Sequence, residues 1–151
     1  MDIKSYKDIV FSIIGTAMAV HKELNWGLLE PLYNEALHME LLNRGIENET
    51  EKHLPCYYKG QLMNKHYQMD IVVGDIVIEL KSVDNLISAH RAQLFNYLRI
   101  TKKTIGILIN FGQKRLQSER YAYFIESNEC VLLDKEMNIF YPNYYNDYLD
   151  Y

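Results

Sequence analysis

The chain has 151 residues, 48% hydrophobic and 24% charged, enough for one domain with a real core and ordinary for a soluble globular protein. Its net charge of −4, from 16 basic against 20 acidic side chains, argues against a strongly basic nucleic-acid binder but leaves room for a local basic stripe. No apolar run is long enough to span a bilayer. Two distant cysteines, Cys56 and Cys130, give neither a zinc site nor a disulfide framework, so a reduced, cytoplasmic setting is the expectation.

In chain order, the spacing of Ile3, Tyr6, Ile9, Val10, Ile13, Ile14, Ala17 and Val20 predicts an amphipathic helix to about Leu24 rather than a signal peptide. Asn25-Trp26-Gly27 breaks it. A second helix is expected from about Pro31, a residue suited to a first helical turn, to about Arg44. Its Leu32, Ala36, Leu37, Met39, Leu41 and Leu42 predict a largely buried helix, and Gly45 suits a C-terminal cap. Strands follow at Ile46 to Glu51 and at Leu54 to Tyr58, the latter ending at the turn signal Lys59-Gly60. A hairpin comes next, then a helix from about Ser88 to Ile100 and a buried strand from Thr104 to Asn110. Phe111-Gly112 breaks that strand, and further strands are read at Tyr121 to Ile125 and Cys130 to Leu133. Without repeats or linkers, residues 1–151 read as a single α/β domain. The tyrosine-rich end from Phe140 onward suits a homodimer or partner surface, although a packed or frayed tail is simpler.

The hairpin, DIVVGDIVIELK from Asp70 to Lys81, is the informative stretch. Gly74-Asp75 between two β-branched runs suits a two-residue type II′ turn. Val73 then pairs with Ile76, Val72 with Val77, Ile71 with Ile78 and Asp70 with Glu79. Alternation sorts Met69, Ile71, Val73, Ile76, Ile78 and Leu80 to one face, and Gln68, Asp70, Val72, Val77, Glu79 and Lys81 to the other. Two neighbouring carboxylates repel unless neutralised, and a hard divalent cation does so through oxygen ligands. Such an ion polarises a phosphoryl oxygen and favours hydroxide, while Lys81 can stabilise growing phosphate charge or orient water. A structural ion pair with Lys81 explains the same residues, and the hairpin alone does not separate the two readings.

Two further segments carry a pattern. Gly27-Leu28-Leu29-Glu30-Pro31-Leu32-Tyr33 reads GxxExxY, and Gln93-Leu94-Phe95-Asn96-Tyr97 reads QxxxY on the third helix. With Asp70 and Glu79-Leu80-Lys81, the ordered series resembles the GxxExxY family of the PD-(D/E)XK nuclease superfamily. Met69 stands where the superfamily name suggests proline. The resemblance implies a restriction-endonuclease-like fold, a central mixed β-sheet flanked by helices. It implies Glu30, Asp70 and Glu79 as ligands of Mg²⁺ (or Mn²⁺), Lys81 as the catalytic lysine, and Gln93 and Tyr97 directed toward the site. The implied activity is phosphodiester hydrolysis of DNA, with RNA still open, and the implied partner is nucleic acid, not membrane. Glu30 has a plainer account as an acid at a helix N-terminus, Tyr33 is expected to pack beneath the site, and His90 is either a phosphate contact or structural. Candidate phosphate contacts are Arg91, Arg99, Lys102, Lys103, Lys114, Arg115 and Arg120, although for any one of them a solvated face is the plainer account. The competing readings are a catalytically silent nuclease-fold binder and a purely structural network.

Overall fold

The computed structural model describes residues 2–140. The tyrosine-rich end beyond Phe140 lies outside the described residues. A short 3₁₀ turn, Ile3–Tyr6, leads into α1 (Lys7–Leu24), followed by α2 (Glu30–Asn43), β1 (Glu49–Tyr58), β2 (Gln61–Val73), β3 (Ile76–Lys81), α3 (Ser88–Thr101), β4 (Ile105–Asn110), β5 (Gln117–Phe124) and β6 (Glu129–Leu133). The described strands form one six-stranded sheet in chain order. All neighbours are antiparallel except β3 and β4, which are parallel and joined through α3. A parallel pair needs such a crossover, and α3 provides it.

The centre of the sheet is covered on both faces. β4 is buried at all six positions, and β3 at every position but Lys81. Runs of Val, Ile and Leu without polar alternation are the signature of strands buried on both sides. α3 lies over the face carrying Val77, because a Cβ on its partner Gly106 would stand 2.8 Å from Leu98 and 3.0 Å from Leu94. Glycine there lets the helix approach closely. α1 and α2 pack on each other, sending Val10, Ile13, Ala17, Tyr33, Leu37 and Leu41 into the core.

The hairpin register is as the alternation predicts: Val73 opposite Ile76, Val72 opposite Val77, Ile71 opposite Ile78. Gly74 has φ +54°, while Asp75 is not among the positive-φ residues, as a type II′ turn requires. The expected two strands before the hairpin are one strand, Glu49–Tyr58, paired with β2 from end to end with a register shift between Pro55 and Tyr57. Ile46 to Asn48 stay outside it, because Ile46 donates its N–H to the Leu41 carbonyl and closes the end of α2. The second helix is also less buried than its composition suggests. Tyr33, Asn34, Leu37 and Leu41 face inward, while Leu32, Met39 and Leu42 are exposed, because the 3.6-residue period points one stripe at the core. α3 runs one residue beyond the expected end, closed by Lys102 in the left-handed conformation. β5 starts earlier than read, at Gln117, so that Gln117 to Ala122 pair along all of β4. No described helix is long and apolar enough to cross a membrane.

Candidate active site

The β2–β3 ladder stops where its acids begin. Beyond Ile71 and Ile78, the side chains of Asp70 and Glu79 take over the bonding: Asp70 Oδ2 accepts the Leu80 N–H at 2.8 Å, and Glu79 Oε1 accepts the Asp70 N–H at 3.2 Å. The expected cross-strand partnership is thus an exchange of carboxylate–amide bonds at an open strand end. Each carboxylate binds the main chain through one oxygen, and charge-assisted bonds of this kind are the stronger sort.

Glu79 is 2% exposed. Burial first, then the charge of Asp70, hold its carboxyl well above the usual carboxylate range. Asp70 is also raised, by burial first, although the Leu80 N–H and Lys81 pull the other way. Two acids that both resist ionisation side by side are a site poised for a positive charge.

Lys81 follows on the same face of β3 and is held from α3. Its Nζ donates to Gln93 Oε1 at 3.3 Å, Gln93 Nε2 donates to the Tyr97 hydroxyl at 2.8 Å, and that hydroxyl donates to the Gln68 carbonyl at 3.2 Å. Every donor in this relay points the same way, from β3 across α3 and back to β2. Burial, then the charge of Glu79, push Tyr97 up to about 12, so it stays a donor.

The opening of α2 borders the same region. Glu30 is its first residue, one position earlier than read. A cleft of about 110 Å³ is lined by Glu30, Pro31, Asn34, Glu51, Gln68, Asp70 and Leu80. The loop before α2 explains the spacing of its glycine and tyrosine. Gly27 sits at φ +85° and donates its N–H to the Phe111 carbonyl at 3.1 Å. Tyr33 is fully buried, stacks on Phe111 at 4.4 Å, donates to the Asn25 carbonyl at 2.6 Å and accepts the Leu28 N–H at 3.0 Å. It clamps the loop that delivers Glu30, which is the packing role expected of it. Trp26 is exposed.

Other expectations are redirected. Arg91 is a structural residue rather than a phosphate contact: its guanidinium makes two 2.7 Å bonds to the Glu119 carboxylate, nearly out of solvent. Lys102 bonds Tyr123 and Lys103 bonds the Gly74 carbonyl. His90 takes the structural alternative, its Nδ1 accepting the Ile87 N–H at the start of α3. Burial, then Lys81, lower its pKa, so the ring is neutral near pH 7.

Among the described residues, no three His, Cys, Asp or Glu side chains stand together as a ready-made metal cage. Asp70 and Glu79 are turned toward backbone amides, and Glu30 lines the same cleft as Asp70. One observation nevertheless fits a hard cation. Asn34, one helical turn after Glu30, lines the same cleft, and its buried Oδ1 has no hydrogen-bond partner among the described residues. Buried amide oxygens are normally satisfied, and an ion or its bound water would satisfy this one. Sequence reasoning passed over Asn34; the only available signal was its place four residues after Glu30 on one helix face.

A mixed sheet with a carboxylate-bearing hairpin, a lysine two residues past the second acid, and an acid brought in by a neighbouring helix defines a nuclease-like α/β class. The chain belongs to the PD-(D/E)XK nuclease superfamily, whose sequence profile matches residues 7–121. The fold is accordingly restriction-endonuclease-like. Among solved structures it is similar to one described as "Crystal structure of SSO0001", at a TM-score of 0.51 and 18% identity, covering 82% of this chain. The chain spans 64% of that protein's length, and the likeness concerns fold alone. No curated protein matches the chain.

Proposed function

We propose that this chain is a metal-dependent nuclease of the GxxExxY type that hydrolyses phosphodiester bonds in DNA, with RNA as the other polymer its site chemistry suits. The observation that carries the reading is the pair of half-buried Asp70 and buried Glu79, both acids held above their ordinary range, beside a lysine oriented by Gln93 and Tyr97.

Glu30, Asp70 and Glu79 would hold Mg²⁺ or Mn²⁺, with Asn34 as a neutral oxygen donor directly or through water. The bound ion supplies Lewis acidity toward the phosphoryl oxygen and lowers the pKa of water. Lys81 presents a charged ammonium to the scissile phosphate and stabilises negative charge as it grows in the transition state. Gln93 restricts the rotation of that flexible side chain, and Tyr97 fixes the Gln93 amide, so the charge is positioned beforehand. The raised acids favour a cation over two bare charges, which couples binding of the ion to release of protons.

The test is incubation of purified protein with linear, circular, single-stranded and branched DNA, and with RNA, in Mg²⁺ or Mn²⁺. Activity that Lys81→Ala reduces at least a thousand-fold is expected; equal behaviour of wild type and variant on every substrate refutes catalysis. A second reading, a silent nuclease-fold binder, draws support from the lack of a ready-made three-ligand cage. A calorimetric Mn²⁺ titration separates them: no heat beyond that of Asp70→Ala favours the silent binder.

A further inference from the structure

The β1–β2 pair continues well past the core. From Lys52 to Gln68 no residue of either strand is buried, and the ribbon closes at Lys59 and Gly60, both at positive φ, as a tight hairpin turn requires. Two features of this ribbon bear on what it could hold. First, Lys52 to Met69 contains three lysines, two histidines and no acid, in a protein of net charge −4. Second, it exposes Tyr57 (62%), Tyr58 (64%) and Leu62 (66%) near its tip, with Tyr67 nearer its base. A two-stranded ribbon gains no core from such residues, so their presence calls for a partner.

We propose that this ribbon is the nucleic-acid platform of the site, its tyrosines stacking on unpaired bases and its lysines tracking the phosphates. The inference rests on the nuclease reading above and names the surface that would carry its substrate. Three observations converge. Charge segregation gives the ribbon the sign that complements a polyphosphate, and aromatic side chains interleaved with cations are the usual means of holding single strands without sequence readout. Lys59 stands over the Tyr58 ring at 5.5 Å, so cation and aromatic face already occur together at the tip. Lys52 is engaged by Glu49 at 2.9 Å, which leaves Lys59 and Lys65 as the phosphate contacts.

The third observation is continuity with the site. The tip strand and the acid are one strand: β2 starts at Gln61 and reaches Asp70 without interruption, which at ~3.3 Å per residue is about 30 Å. That is on the order of nine nucleotide steps of one DNA strand. Tyr67 meets the Tyr97 ring edge-on at 5.4 Å, and Tyr97 bonds the Gln68 carbonyl, so the base of the ribbon is anchored to the residues that orient Lys81. A strand lying along the ribbon would be led to the Asp70–Glu79 pair.

The test is fluorescence anisotropy of a labelled single-stranded oligonucleotide and of its duplex with the full chain in EDTA, where cleavage is suppressed. Lys59→Glu/Lys65→Glu is expected to weaken both by at least ten-fold and to lower the slope of log K against log salt by about two. Tyr57→Ser/Tyr58→Ser is expected to weaken the single strand roughly ten-fold or more and the duplex less. Because Tyr57, Tyr58, Lys59 and Lys65 are all exposed, the circular-dichroism spectrum and melting temperature should stay at wild-type values. Unchanged binding in both variants overturns the proposal. So does loss of a dimer in Tyr57→Ser/Tyr58→Ser with nucleic-acid binding intact, which would make the ribbon a contact between copies. Ribbon-dependent binding by a protein that cuts nothing would sink the nuclease reading and leave the platform standing. Lys81-dependent cutting that ignores both ribbon variants would do the reverse.

Discussion

Replacing Glu79 by glutamine separates a metal site from a structural ion pair more cleanly than any other single change. The amide keeps the shape, and its oxygen can go on accepting the Asp70 N–H now bonded at 3.2 Å. What disappears is an acid that burial and Asp70 push well above its ordinary value of 4.5. A raised folded-state pKa means that the native protein keeps a proton the unfolded chain has already lost. Stability from this group is therefore complete below 4.5 and falls as pH rises toward the folded-state value. The slope is about 1.4 kcal/mol per pH unit for one proton, equivalent to roughly 3–6 °C in Tm for a domain of this size. In EDTA, wild type should lose stability across this window while Glu79→Gln stays flatter and is the more stable protein near pH 8. Saturating Mg²⁺ should reverse the order, since a ligand at a hundred times its Kd stabilises wild type by about 2.7 kcal/mol and the variant by little. Urea unfolding followed by circular dichroism at several pH values, with EDTA and with Mg²⁺, provides the measurement. If Glu79→Gln is instead the less stable protein in EDTA near pH 8, by 1 kcal/mol or more, Glu79 is a paired structural charge and the metal argument fails.

Other expectations concern separate parts of the molecule. Asn34→Leu should match or exceed wild-type stability in EDTA, because it removes a buried oxygen without a partner. It should also weaken Mn²⁺ binding by calorimetry ten-fold or more, whereas equal affinity would dismiss Asn34 from the site. Gly112→Ala should cost about 3 kcal/mol or more in urea unfolding, since its Cβ would stand 2.2 Å from the Val83 carbonyl oxygen and 2.3 Å from the Val83 nitrogen. A cost below 1 kcal/mol would show that the segment after Lys81 yields. Burial pushes the Cys130 thiol up to about 11, so native protein should be labelled at Cys56 alone by a thiol reagent near pH 8, with Cys130 reacting only after unfolding. Prompt labelling of both would contradict the buried position of β6.

What could be read from the sequence was what neighbouring residues decide together. The turn at Gly74, the pairing of Val73 with Ile76 and the joint placement of Asp70, Glu79 and Lys81 follow from a period of two over a dozen residues. Gln93 and Tyr97 share a helix face for an equally local reason. Burial was legible where the strand is apolar on both faces, as in β4. It was misjudged in α2, where Leu32, Met39 and Leu42 are as apolar as Leu37 and Leu41 but lie off the stripe facing the core. Charge pairing was the least legible. Arg91 and Glu119 are 28 residues apart, and only the crossover that lays α3 against β5 joins them. The long ribbon was hidden because Lys52-His53 reads as a break in hydrophobic pattern, whereas β1 keeps one register with β2 on both sides of Glu51, itself at φ +49°. A strand that pairs without burying anything leaves no periodic trace.

The same two acids proposed for the site also hold its scaffold, and this can be put to a test. Where the ladder ends, the Leu80 N–H is satisfied by Asp70 Oδ2 at 2.8 Å, and Leu80 is 1% exposed. Leu80 itself is nearly out of solvent, so removal of the acceptor takes away its amide's present partner, at about 1–3 kcal/mol. Asp70→Asn retains an oxygen acceptor in the same place and loses the charge; Asp70→Ala loses both. In EDTA, Asp70→Ala should therefore be less stable than Asp70→Asn by about 1–3 kcal/mol. Both should fail to bind Mn²⁺ tightly, because a neutral group at this position no longer matches the cation. Equal stability of the two variants would mean that the hairpin end is held by something other than its carboxylate. Near-wild-type Mn²⁺ affinity in Asp70→Asn would mean that the ion, if it binds, sits elsewhere.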